Sequence, residues 1–110
     1  MSGRLPSGLS VAALVRRVND AGGFAVVRAR GDVDTGAIIV LIDDAGGWRA
    51  VERVRDLDGH DSIVAAGPAG DESALEDYWR RRRRNDPDLW VIELNIPHAE
   101  RFVAETIGDG

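Results

Sequence analysis

Tyr78-Trp79-Arg80-Arg81-Arg82-Arg83-Arg84-Asn85-Asp86-Pro87-Asp88-Leu89-Trp90-Val91-Ile92-Glu93 decides how this chain is read. Two aromatics and five consecutive arginines run into a proline turn and then into an apolar strand. Pro87 disfavours helical backbone at Asp86, so the helix carrying the arginines ends near Arg84. Leu89 to Leu94 then reads as a strand. A tight turn thus fastens a charged helix end to the core. Upstream, Asp71 or Ser73 is placed to cap this helix, with Ser73 and Glu76 spaced as a capping box. Leu75, Tyr78 and Trp79 supply its apolar face.

Working outward, residues 9–21 carry Val11, Leu14, Val15 and Val18 at the spacing of one helix face. Ser7 or Ser10 is placed to cap this helix, and Gly22-Gly23 ends it. Phe24 to Ala29 reads as a strand, and Arg30 to Gly36 as a polar turn. Ala37 to Ile42 is a continuous apolar run, as in a strand buried on both faces. Asp44-Ala45-Gly46-Gly47 is a hairpin connection. Trp48 to Arg55 alternates, with Trp48, Ala50, Glu52 and Val54 on one face and Arg49, Val51, Arg53 and Arg55 on the other. Ser62 to Ala66 is a short fourth strand, so four or five strands are expected. Pro97 suits the first turn of a last helix reaching Ile107, with Phe102, Val103 and Ile107 inward. Hairpin-linked strands followed by helices give a single α+β domain over residues 1–110. Its sheet is mainly antiparallel and the order is α-β-β-β-(β)-α-β-α. Residues 1–6 and 108–110 are expected to fray.

Composition excludes more than it identifies. All fourteen basic side chains are arginine, and cysteine is absent. Without lysine there is no Schiff base and no P-loop lysine, and arginine is a poor general base. Without cysteine there are no disulfides, thiolate nucleophiles or cysteine-ligated metals, which fits a reducing cytoplasm. The net charge of -5 repels nucleic acid and anionic membranes, so anion binding must come from a local patch. No apolar run is long enough to span a membrane, and Met1 to Pro6 lacks the apolar core of a signal peptide.

Several stretches resemble a known family. They are Arg4-Leu5-Pro6-Ser7, Val11 to Arg17, Arg30-Gly31-Asp32-Val33-Asp34-Thr35-Gly36-Ala37, and Tyr78 through Glu93, the last being the most specific. Together they are similar to the alphaproteobacterial family known as domain of unknown function 1491, over about residues 4–95. Pro97 to Gly110 is less clearly matched. The resemblance implies a small bacterial α/β protein. It implies no activity and brings no catalytic residues with it.

The arginines are the main candidates for function. In the helix run, Arg80, Arg81 and Arg84 are candidate anion ligands, although steps of 100° spread five residues around the helix rather than onto one face. The competing structural reading uses the helix dipole and the i,i+4 pairs Glu76–Arg80 and Asp77–Arg81. Arg49, Arg53 and Arg55 share one strand face and form a flat basic stripe, extended by Arg28, if that face is exposed. If a helix covers it, their stems pack and their heads reach the edge.

Other motifs are weaker. Asp32-x-Asp34-x-Gly36 starts like a calcium loop but lacks the closing glutamate, so it reads as an Asx-type turn. His60, between acids in a turn, and His98 have no partner in sequence. Trp48, Trp79 and Trp90 fall at core spacing rather than as a base-stacking platform. The αβββ-α-β order also matches restriction-endonuclease-like nucleases, with Asp34 or Asp43 and Glu52 as acids. Val54, however, stands where the lysine of that motif belongs. No catalytic residue, metal ligand or cofactor is assigned. The reading is a cytoplasmic, non-catalytic module that binds a protein partner, with no membrane role and weak nucleic-acid binding or none. Its alternative is a phosphate- or nucleic-acid-binding module using the arginine clusters, and a metal-dependent hydrolase comes last.

Overall fold

The computed structural model describes residues 5–108. Along the chain run α1 (Ser7–Asp20), β1 (Phe24–Ala29), β2 (Ile38–Asp44), β3 (Gly47–Arg55), β4 (Asp61–Ala66), α2 (Glu72–Asn85), β5 (Trp90–Asn95) and α3 (Ala99–Ile107). The strands form one sheet in the order β1-β5-β2-β3-β4. Its pairs are antiparallel except β2–β5, which is parallel. The expected α+β order holds, and the short fourth strand is formed.

β5 inserts between β1 and β2, so these neighbours in sequence are not neighbours in the sheet. Residues 30–37 must therefore bridge two strand spacings, roughly 10 Å, across the start of β5. That crossing explains the glycines. A Cβ on Gly31 or Gly36 would lie 2.1 Å from the Asp88 carbonyl oxygen. Asp32 holds the loop's shape by accepting from the amides of Thr35 at 2.8 Å and Asp34 at 2.9 Å. The same two amides, Thr35 first, keep its carboxyl below the ordinary range. Trp90 Nε1 donates to the Asp32 carbonyl at 2.7 Å. The Asp-x-Asp run is thus a turn, as its truncated spacing suggested.

Helix ends follow local chemistry with small shifts. α1 starts at Ser7, two residues before the expected start at residue 9, and Pro6 stands at the cap without a side-chain bond. Ser7 Oγ instead donates to the Gly36 carbonyl at 2.7 Å and pins α1 to the crossing loop. Asp71 caps α2 by accepting from the Ser73 amide at 3.0 Å. After α2, Arg83 donates to the carbonyls of Pro87 and Leu89, which ties the helix end to the proline turn. α3 begins at Ala99 rather than at Pro97, because His98 takes a left-handed backbone with φ 60°. The expected fraying of residues 1–4 and 109–110 lies outside the described residues. Gly108 donates its amide to the Ala104 carbonyl and closes α3.

The sheet is covered on both faces. Val11, Leu14 and Val18 of α1, with Val103 and Ile107 of α3, pack on Ile38, Val40, Ile42, Trp90, Ile92 and Leu94. On the other face α2 brings Leu75 and Trp79 onto Ile39, Leu41, Ala50 and Val91. Residues 38–42 alternate between these two clusters, which is why the run is apolar throughout. Trp79 and Trp90 are buried, while Trp48 is half-buried against the α2-side cluster.

Candidate functional site

Two of the strand arginines, Arg49 and Arg53, reach α3. Arg49 donates to Asp44 at 2.9 and 3.0 Å and to Glu100 of α3, with one bond at 2.8 Å. Arg49, with help from the Gly46 amide, pulls the Asp44 carboxyl down to about 2. It lowers Glu100 as well, and its own pKa is raised in return, by Glu100 first. Arg53 is only 5% exposed. Its guanidinium reaches the Ile107 carbonyl at 3.4 Å and Ser7 Oγ at 3.5 Å. Arg55 pairs with Asp61 at 3.5 Å. The covered-face alternative therefore describes Arg49 and Arg53, with packed stems and engaged heads, while Arg55 at the strand's end is exposed.

Arg28 does not extend the stripe. It lies on the opposite, α2, face, paired with Glu93 at 2.7 Å and Glu76 at 3.7 Å. The strand alternation already held this signal, since Ala25 and Val27 pack into the α1/α3-side cluster. The register of β1 against β5 shifts between Val27 and Ala29, so the backbone is irregular at Arg28.

The helix run divides by direction. Arg82 points at β3 and donates to both oxygens of Glu52 at 2.8 Å, and to Tyr78 Oη at 2.8 Å. Arg80 pairs with Glu76 at 2.8 Å and sits 4.7 Å from the Trp79 ring centroid. The parallel expectation for Asp77 fails, because no Asp77–Arg81 pair forms. Arg81 and Arg84 are exposed and make no ion pair among the described residues.

Two grooves flank β1, which has one edge unpaired among the described residues. On the α2 side, Arg28, Trp79, Arg80, Arg83 and Arg84 line a groove of about 480 Å³. On the α1 side, Leu9, Val15, Val27, Val33 and Trp90 line one of about 670 Å³, with Arg16, Arg30 and Asp34 beside them. Leu9 is 57% and Val33 54% exposed there. Arg30 lies 5.5 Å from the Trp90 ring centroid. Of these residues, sequence reasoning left Leu9, Arg30, Val33 and Arg83 without a role. Leu9 offered a signal, as an apolar residue off the inward face of its helix.

The remaining motifs are occupied by the fold. Glu52 gives both oxygens to Arg82, away from Asp34 in the crossing loop. Asp56, Asp58 and His60 are close and exposed, and Asp56 accepts from the amides of Asp58 and His60 at 2.9 Å, which shapes the turn. Among the described residues no helix is long and apolar enough to cross a membrane.

Residues 5–104 match the family described as protein of unknown function, DUF1491. The chain belongs to this family. A DUF1491 crystal structure from Caulobacter crescentus CB15 is 33% identical, covering 89% of this chain and 94% of that one, with a TM-score of 0.81. An NMR structure of a DUF1491 protein from the same organism is 32% identical over 92% and 94% of the two chains, with a TM-score of 0.80. A solution structure from A. tumefaciens is 29% identical over 86% and 88%, with a TM-score of 0.74. No curated protein matches.

In this DUF1491 chain the stretches that carry the resemblance meet in space. The start of α1, the 30–37 crossing and the entry to β5 share the bonds Ser7–Gly36, Gly8–Val33, Asp32–Asp88 and Trp90–Asp32. The apolar groove opens on this corner, through Val33 and Trp90.

Proposed function

We propose that this DUF1491 protein is a non-catalytic binding module that takes an extended segment of a partner protein along the free edge of β1. One observation carries the reading: a strand edge that is unpaired among the described residues runs beside an apolar groove of about 670 Å³ whose Leu9 and Val33 stand open. A free edge supplies ladder hydrogen bonds, and a groove beside it takes alternate side chains of an added strand. Arg16 and Arg30 at the groove favour an acidic residue next to the apolar anchor. The overall charge of -5 keeps that preference local.

Catalysis finds little support. The carboxylates of Asp32, Asp44, Glu52, Glu76 and Glu93 accept from amides or guanidiniums, and both histidines are exposed on separate elements. A cytoplasmic location belongs to the same proposal, on the cysteine-free composition.

The test is selection of displayed random peptides of about a dozen residues, long enough to add a strand, against the full chain. An apolar anchor flanked by Asp or Glu is expected. Amide shifts should map to β1, Leu9 and Val33, and Leu9→Glu should abolish binding with Tm unchanged. Failure to converge on any consensus, or shifts confined to β4 or α3, would reject the reading.

A further inference from the structure

The groove on the α2 side of β1 holds charge that the fold does not neutralise. Arg28, Arg80, Arg83 and Arg84 line it. Two carboxylates answer them: Glu93 on Arg28 at 2.7 Å, and Glu76 on Arg80 at 2.8 Å. Arg83 is held by the carbonyls of Pro87 and Leu89, which fix its position and leave its charge in place. Arg84 has no ion pair among the described residues. Two positive charges therefore remain beside a concave surface of about 480 Å³.

The floor of the groove selects the kind of anion. Trp79 is 4% exposed, and the guanidiniums of Arg80 and Arg28 lie 4.7 and 5.6 Å from its ring centroid. Its face is covered, so a nucleobase has nothing to stack on. A long polyanion would also meet the field of a chain with net charge -5, whereas a single small anion feels mainly charges within a Debye length of roughly 8 Å. Guanidinium forks match the oxygens of a phosphoryl group, and Arg28 and Arg80 are already oriented by their glutamates.

We infer that this groove is a binding site for one phosphate-monoester group, contacted by Arg83 and Arg84 and backed by the ordered Arg28 and Arg80. It uses residues and a face of β1 that the peptide-edge reading does not use, so either can fail alone.

The test titrates the full chain with three probes at constant ionic strength: inorganic phosphate, a phosphoserine hexapeptide, and the same hexapeptide with Asp at that position. Side-chain Nε–H signals of Arg83 and Arg84 and the Trp79 indole signal are followed by NMR. Phosphate should give saturable shifts with a Kd on the order of 1 mM, and the Asp peptide should bind more weakly than the phosphoserine peptide. Arg84→Gln should weaken phosphate binding about tenfold with Tm unchanged, since the side chain is exposed and makes no ion pair among the described residues. Arg81→Gln, a neighbour of Arg84 that does not line the groove, should leave it intact. Tighter binding of the phosphoserine peptide than of phosphate would identify a phosphorylated protein segment as the source, and equal affinity would identify free phosphate; both uphold the site. Absence of saturable shifts at roughly 20 mM phosphate, or equal losses in Arg81→Gln and Arg84→Gln, would overturn it.

Discussion

The two arginine groups differ more in their surroundings than in their chemistry. Arg49, Arg53 and Arg55 lie with Val51 on one face of β3; Arg49 and Arg53 reach α3, and Arg55 at the strand's exposed end pairs with Asp61 of β4. Each guanidinium there is engaged by the fold. Arg80 to Arg84 turn 100° per residue, so they meet several environments. Arg82 faces β3, Arg80 lies over Trp79, Arg83 holds a turn, and Arg81 and Arg84 stay open. Consecutive charge on a helix points in several directions, while charge on one strand face keeps one direction and is buried only as far as the covering helix reaches.

Four measurements can break or sharpen that contrast. The scale is set by Trp90, 3% exposed and bonded through its indole to Asp32. Trp90→Ala should cost about 3–5 kcal/mol in denaturant melts. A loss below about 1 kcal/mol would show that the corner around the crossing loop is loose. Next comes Arg53, which joins the ends of α1 and α3 from within the core. Arg53→Ala should cost about 2–4 kcal/mol, through lost packing and dry acceptors. A near-neutral result would put Arg53 in the surface class with Arg55.

The third measurement is acid unfolding of Arg49→Gln against wild type. The Asp44 carboxyl is depressed from 3.8 to about 2, by Arg49 first and by the Gly46 amide next. A depressed carboxylate contributes stability above its unfolded pKa and loses it as pH falls through the folded one. The wild-type advantage in Tm should therefore hold at neutral pH and shrink as pH falls from about 4 to about 2. A gap that stays constant across that window would mean the pair is not formed. The smallest effects belong to the helix. Arg82→Gln should cost about 1 kcal/mol, because it leaves Glu52 half-buried without its bidentate partner. Arg81→Gln should stay within about 0.5 kcal/mol. Equal losses would erase the division proposed for the run.

Much of the fold was legible because it rests on short-range rules. The apolar spacing of Val11, Leu14 and Val18 marks a helix face, and Pro87 stops α2 one residue beyond the expected position. The continuous run of β2 announced burial on both faces. Asp32 could be read as a turn because its carboxylate can reach amides two and three residues on. Each of these signals acts over a few residues, where backbone sterics and periodicity suffice.

What only the tertiary structure decided is where distant segments meet. Alternation showed that Arg49, Arg53 and Arg55 share a face, but not that α3 would engage the first two and leave Arg55 exposed. Nothing local announced that β5 would enter between β1 and β2, which forces the glycine-lined crossing and leaves β1 at an edge. Both grooves beside β1 follow from that insertion, and so does the meeting of Arg28 with Arg80, Arg83 and Arg84. The physical reason is that burial is settled between segments far apart in the chain. Sequence periodicity determines which side chains face together, and long-range packing determines what they face.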